Sequence, residues 1–406
     1  MVSKYDVFYV IATKGEIRIA DIVETLHKPK EKYQSIFNHV LLLESEKLVI
    51  RKDTIKPIKN KKNILLYHLI RFCVSNKMNY NLLLKSTMVD FIQQASQKEF
   101  FTIKYVDINP RTFSFYTTAL SKYGMLLIIS KKPVTCKLLR HSFFLDLLNY
   151  YDRKVDFYEP EKHSFQKDIR SELRKYKRNL KINYSIMDDL EKQQEVDFVY
   201  SSLHLEGNPL TLPETQKLIL EEVLPNKHKL THIQEVTNYK AAVDLMIDRA
   251  RKKIILNLQL VLKYHEIALA HIHGSGQIRR QKVRIKGNPN FKTSEWQLIP
   301  VKIKELFDKY SEFSNKKNDI DDVIAFSAFF HNEFQRIHPF IDGNSRISRL
   351  LMLHILRSHD IPVLDLPIGY FDLYLDLTKR SKHRDDEAFQ QIIEEIIFFS
   401  LKRLNS

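Results

Sequence analysis

The chain has 406 residues, 44% hydrophobic and 28% charged; that composition excludes a disordered chain, and the length implies about two to three domains. Eight glycines exclude collagen, two cysteines (Cys73 and Cys136) make no disulfide framework or metal signature, and no apolar run approaches the roughly 18 residues of a membrane span. Charge enters the N-terminus too early for a secretory signal, so the expected location is cytoplasmic.

The net charge of +16 is unevenly spread: residues 1–150 carry 24 basic and 12 acidic side chains, and residues 251–300 carry 10 and 2. Basic zones of that kind suit a polyanion, or simply a solvated surface. From the N-terminus, Tyr5–Thr13, Ile17–Leu26 and Lys32–Glu44 read as three helices, followed by a small hairpin over Leu48–Arg51 and Thr54-Ile55. The third helix presents Lys32, Tyr33, Gln34, Ser35, Asn38 and His39 at polar positions. A similar order recurs: Asn109-Pro110-Arg111 starts a helix through Ser121, and MLLIIS, a KKP turn and VTCKLL form a hairpin. Helices followed by a wing resemble winged helix-turn-helix modules. Residues 1–60 are therefore expected as one such domain and 61–160 as a second. Duplex DNA, through residues 1–150, is the implied partner, with protein contacts as the alternative.

Beyond this the pattern is helical. A connecting helix is expected over 161–185, its charged amphipathic pattern running from Phe165 to Asn183, and the remainder, 186–406, reads as helices at 188–205, 212–223, 230–249, 252–272, 300–312, 320–337 and 344–357, with a helical tail over 370–404. The fold class is mainly α. The one strand-like stretch, 277–286, is bounded by Gly274, Gly276 and Gly287. Average usage would give about 28 glycines. Of the eight present, five lie in the stretches LEGNP, HGSGQIRRQKVRIKGN and HPFIDGNSR. Glycine kept so sparingly marks backbone with positive φ or close approach to a ligand.

The last of these stretches carries the chemistry. Asp321–Ile337 is apolar over much of its surface, Pro339 stops it, and His338 sits at its exit. Gly343-Asn344 opens the next helix, with Asn344 a suitable N-cap. Arg346 and Arg349 lie three residues apart on one face of its first turns. Cations there oppose the helix dipole by roughly 0.3–1 kcal/mol each, but with free backbone N–H groups they make an anion site suited to a phosphate chain. Asp342 is an oxygen ligand for Mg2+, and His338 is the group in the loop able to take a proton near neutral pH.

Residues 338–349 resemble the signature of the Fic (filamentation induced by cAMP) family, HPFx(D/E)GNxRxxR, with Ser345 where glycine is commonest; the similarity extends over about 195–400. The resemblance implies an all-helical core with a small β-hairpin flap and protein adenylyltransferase activity. In that reaction AMP passes from ATP to a Ser, Thr or Tyr hydroxyl, either of a target protein or of the chain itself. It implies His338 as general base, Asp342 as the Mg2+ ligand, and Gly343, Asn344 and Ser345 as a phosphate cradle. Arg346 and Arg349 would grip the phosphates, Phe340 would anchor the core and Tyr374 would line the adenine pocket. Arg279, Val283, Ile285 and Gly287 match the target-binding flap, which holds its target by main-chain pairing. Ser202 and Glu206 fit the family's inhibitory motif, (S/T)xxxE(G/N), which implies that Glu206 pairs with Arg349. Alternatives are a DNA-binding regulator with a nucleotide-sensing Fic domain, or removal of AMP or another nucleotidyl or phosphoryl transfer by the same residues. The sequence leaves the oligomeric state open, a homodimer included.

Overall fold

A computed structural model describes residues 2–159, 164–225, 228–272, 274–285, 288, 291–362, 364–380 and 383–405, in two compact units, 1–160 and 161–406. Gly287 lies outside the described residues. In the first unit α1 (Lys4–Lys14), α2 (Ile19–Thr25) and α3 (Tyr33–Ser45) precede a hairpin of β1 (Val49–Arg51) and β2 (Ile55–Pro57). Ser3 opens α1 with a reciprocal capping box to Asp6. Val7, Phe8 and Ile11 of α1 and Ile36, Val40 and Leu43 of α3 are almost wholly buried where the two helices pack, each burial favouring the fold by roughly 1.5–3 kcal/mol. Ile17, between α1 and α2, bridges to Ile55 of β2.

The same order follows a second time. After α4 (Lys61–Ser75) and α5 (Tyr80–Leu83) come α6 (Ser86–Ala95), a bridge from Phe101 to Cys136, and a 3-10 turn at Ile103–Tyr105. Next come α7 (Pro110–Lys122), capped by Asn109, and the hairpin of β3 (Leu126–Lys131) and β4 (Val134–Leu138), before α8 (Ser142–Tyr150). In both passes the isolated bridge pairs with the second strand of the hairpin. His39 departs from the expected polar face of α3: it is half-buried, with Nε2 3.1 Å from the Val2 carbonyl.

The second unit contains α9 (Gln166–Ile182), α10 (Tyr184–His204), α11 (Leu212–Leu220), α12 (Leu230–Arg251) and α13 (Leu258–Ala268). It continues with α14 (Ile299–Ser314), α15 (Ile320–Ile337), α16 (Asn344–Ser358), α17 (Phe371–Leu377) and α18 (Asp386–Leu404). The helix expected as a connector is packed within this unit: Ile169, Leu173 and Tyr176 of α9 are buried, and Phe165 stacks on Phe398 of α18. The tail expected to be helical over 370–404 is made of α17 and α18, the second opened by Asp385, which accepts the Ala388 N–H. The centre is α16, buried on all sides, with α15 along it and α12 and α13 against it.

The expected β-hairpin flap is not formed among the described residues, and Lys286 and Gly287 lie outside them. No strand occurs among the described residues of 161–406, and 277–285 run as irregular chain. Arg279 is turned inward there, its guanidinium donating to three carbonyls.

Candidate active site

The helix α15 ends because His338 takes a left-handed conformation (φ 52°, ψ 59°) while its N–H still closes on the Phe334 carbonyl at 3.0 Å, and Pro339 follows. That conformation costs a non-glycine residue roughly 1–2 kcal/mol, so the surroundings must impose it. They do so from three sides. Arg279 donates through Nε to the His338 carbonyl (2.7 Å) and through its N–H to the Pro339 carbonyl (2.9 Å), and its remaining nitrogens reach the Gln281 and Ser294 carbonyls. Asn344 clamps Phe340 both ways, accepting its N–H (2.9 Å) and donating to its carbonyl (2.8 Å). His265 stacks flat on Phe340, ring centroids 3.7 Å apart. Its Nδ1 accepts the Gly276 N–H at 2.7 Å, so Nε2 is the donor to the Asp342 carbonyl at 3.1 Å.

These contacts revise two expectations. Arg279 is 2% exposed and holds the loop rather than facing a target. The N-cap of α16 is Gly343 (φ 79°), not Asn344, whose side chain is committed to Phe340. Gly343 combines a φ of 79°, which side chains rarely adopt, with close packing: a Cβ there would run into the end of the Leu269 side chain, which would have to move.

The His338 side chain is 9% exposed, with Nδ1 3.1 Å from the Gln335 carbonyl. A carbonyl only accepts, so Nδ1 carries the proton and Nε2 keeps its lone pair. Burial, helped by the charge of Arg279, pushes the imidazole pKa down to about 4 despite the Gln335 carbonyl. The ring is neutral at pH 7.

Beside it opens a cleft of about 200 Å³ whose walls include His338, Gly343, Asn344, Ser345, Glu206 and Lys379. Ile285 and Arg284 also border it; Val283 is half-buried but not part of its wall. Asp342 stands at the rim, its side chain 59% exposed, with Oδ1 taking the Gly343 N–H (2.6 Å) and Arg346 (3.1 Å). Among the described residues there is no group of three or more His, Cys, Asp or Glu side chains fit to hold a metal. A single exposed carboxylate is nevertheless what Mg2+ uses when substrate phosphates and water complete its shell, so Asp342 fits that role.

Neither arginine lines the cleft. Arg346 is held between Glu235 and Asp342. Arg349, 2% exposed, donates through Nε to Ser202 Oγ (2.7 Å) and through one terminal nitrogen to the Ser202 carbonyl (2.9 Å) and Glu206 Oε1 (3.0 Å). Ser202 Oγ donates a hydrogen bond to the Tyr239 hydroxyl, which donates to the Arg346 carbonyl. Burial pushes the Glu206 carboxyl up, but Arg349 and then Lys379 outweigh it and hold it below its ordinary range. Glu206 and Arg349 thus pair by one hydrogen bond, and the second carboxylate oxygen accepts from Lys379 Nζ at 3.3 Å.

Tyr374 is another correction. It is 2% exposed and sits behind Arg349, whose guanidinium lies 5.9 Å from the ring centroid, rather than in the cleft. His331 Nδ1 donates to the Asn332 carboxamide oxygen (3.0 Å), so its Nε2 accepts the Tyr374 hydroxyl proton (2.9 Å).

Sequence reasoning missed His265, Glu235, Tyr239, His331 and Lys379. A signal existed for His331, seven residues or two helical turns before His338 on the same face. The others come from distant segments with no local mark.

Residues 255–356 match the Fic/DOC family, and the fold of 161–406 is all-helical among its described residues. The protein adenylyltransferase Fic of Drosophila grimshawi is 25% identical over 207 residues, covering 50% of this chain and 42% of that protein. Its Drosophila willistoni counterpart is 23% identical, with 50% and 40% covered. The chain thus spans about two fifths of the length of these curated relatives. Among solved structures, a Fic domain-containing signaling protein from Bacteroides thetaiotaomicron superposes with a TM-score of 0.53 at 20% identity, over 58% of this chain and 95% of that one. Fic-1 from C. elegans does so with a TM-score of 0.50 at 16% identity, over 92% of each. Those likenesses concern the fold alone. No described helix is long and apolar enough to cross a membrane.

Proposed function

We propose that the chain transfers AMP from ATP to a hydroxyl side chain of a target protein, under restraint by Glu206. The observation that carries this reading is His338: neutral, tautomer-locked and placed beside the glycine-capped start of α16. Its Nε2 takes the proton of the acceptor hydroxyl as that oxygen bonds to the α-phosphorus. The bond from the α-phosphorus to the bridging oxygen breaks, and pyrophosphate leaves. The N–H groups at Asn344 and Ser345 would face the phosphates at the positive end of α16. Arg349, once free of Glu206, would neutralise their charge. Mg2+ bound at Asp342 would screen phosphate charge. That the cleft is smaller than the roughly 300–1,000 Å³ usual for small-molecule sites, with Glu206 in its wall, supports a restrained state.

Incubation with α-labelled ATP should label protein, and His338→Ala should abolish this while leaving the thermal unfolding curve in place. Transfer of label from γ-labelled ATP alone would show a phosphotransferase instead.

A second reading concerns residues 1–150. The twice-repeated order of helix, bridge, helices and hairpin, together with 24 basic against 12 acidic side chains, supports tandem winged helices on duplex DNA. Anisotropy of a labelled duplex should then rise on binding and fall steeply with salt; indifference to DNA at low salt would leave protein recognition.

A further inference from the structure

Lys379 lines the cleft with His338, Gly343 and Ser345, yet neither the signature nor the catalytic reading uses it. It follows α17 directly, and its main chain is fixed: the Lys379 carbonyl accepts from Asn288 Nδ2 (3.0 Å), and the flanking Thr378 hydroxyl and Arg380 N–H close back on α17. Its side chain is 35% exposed and reaches one carboxylate among the described residues, Glu206, through Oε2. Glu206 therefore lies between two cations, one buried behind it and one at the cleft wall.

We propose that Lys379 is a second cation of the nucleotide site: it holds Glu206 over Arg349 in the restrained state and takes a phosphate oxygen of ATP once Glu206 withdraws. This rests on the nucleotide reading of the cleft. The physical reason is charge balance. Withdrawal of one carboxylate leaves two positive groups without their anion in a partly desolvated site, and a polyphosphate restores it. A lysine ammonium, three donors on a flexible stem, can make either contact without rebuilding the loop. The same side chain thus opposes catalysis in one state and supports binding in the other, and its removal has opposite consequences in the two backgrounds.

The experiment places Lys379→Met and Lys379→Arg in the intact chain and in Glu206→Gly, with ATP affinity read by calorimetry and AMP transfer read at saturating ATP. With Glu206 present, Lys379→Met should raise transfer about two- to fivefold, the range for a half-exposed ion pair. In Glu206→Gly it should instead weaken ATP binding about three- to tenfold, as loss of one charge-assisted contact does. Lys379→Arg should keep both behaviours, which separates charge from folding. Unchanged ATP affinity for Lys379→Met in Glu206→Gly, or lower transfer for it in the intact chain, overturns the proposal. If no variant transfers AMP but ATP affinity still falls with Lys379→Met, the transfer reading fails and the binding role of Lys379 stands.

Discussion

Glu206→Gly is the perturbation with the clearest consequence. In the structure Glu206 makes one hydrogen bond to Arg349 at 3.0 Å and one to Lys379 at 3.3 Å, while Ser202 keeps Arg349 through two further bonds at 2.7 and 2.9 Å. The substitution therefore frees one guanidinium nitrogen without casting Arg349 loose. A hydrogen bond to a charged group is worth roughly 1.5–3 kcal/mol, and each 1.36 kcal/mol off a barrier is tenfold in rate, so transfer should rise roughly ten- to a hundredfold. A bidentate lock would have given more. The assay is incorporation of label from α-labelled ATP, with circular dichroism melting to show that the variant is folded. Arg349→Ala should not reproduce the gain, because it removes the phosphate ligand along with the lock, and Glu206→Gly combined with Arg349→Ala should behave as Arg349→Ala alone. Equal or lower labelling by a folded Glu206→Gly would refute the inhibitory role while leaving His338 and its loop untouched.

Gly343→Ala should destabilise the second unit by roughly 2–4 kcal/mol, from a left-handed backbone and a Cβ inside van der Waals contact of Leu269; urea titration checks this. Leu269→Ala should recover the packing part only. Arg279→Met should lower kcat for transfer about tenfold or more, because it unpins the His338 and Pro339 carbonyls; a change confined to the KM for target would restore Arg279 to the target-binding role. Burial pushes His265, His338 and His354 down to about 4 and His331 down to about 3. Between pH 6.5 and those values the unfolded chain binds protons that the folded one does not, so stability should be full above 6.5 and fall as pH drops toward 4. Each histidine contributes of the order of 1–3 kcal/mol to that fall. Asp365, pushed up to about 6 by burial, works in the opposite sense. A denaturation midpoint that does not move between pH 7 and 4.5 would contradict the neutral, buried state of these rings.

The stretch 338–349 was legible because its constraints are local. Pro339 stops a helix, Gly343 alone tolerates φ 79°, and residues three apart on a helix share a face, so His338, Asp342, Arg346 and Arg349 could be placed from their spacing. Most helices of the second unit, and α1, α2, α3 and α7 of the first, followed from apolar periodicity and their caps for the same reason, whereas α4, α5, α6 and α8 did not. Apart from the Glu206–Arg349 pair, which the resemblance implied, the partners of those residues were decided only by the tertiary fold. Ser202 and Glu206 reach Arg349 across more than 140 positions, Lys379 arrives from the end of α17, and Glu235 takes Arg346 from α12. Arg279 read as an exposed basic strand residue and Tyr374 as a pocket wall. Whether a side chain faces water or a buried carbonyl depends on what packs against it, and local pattern carries no record of that.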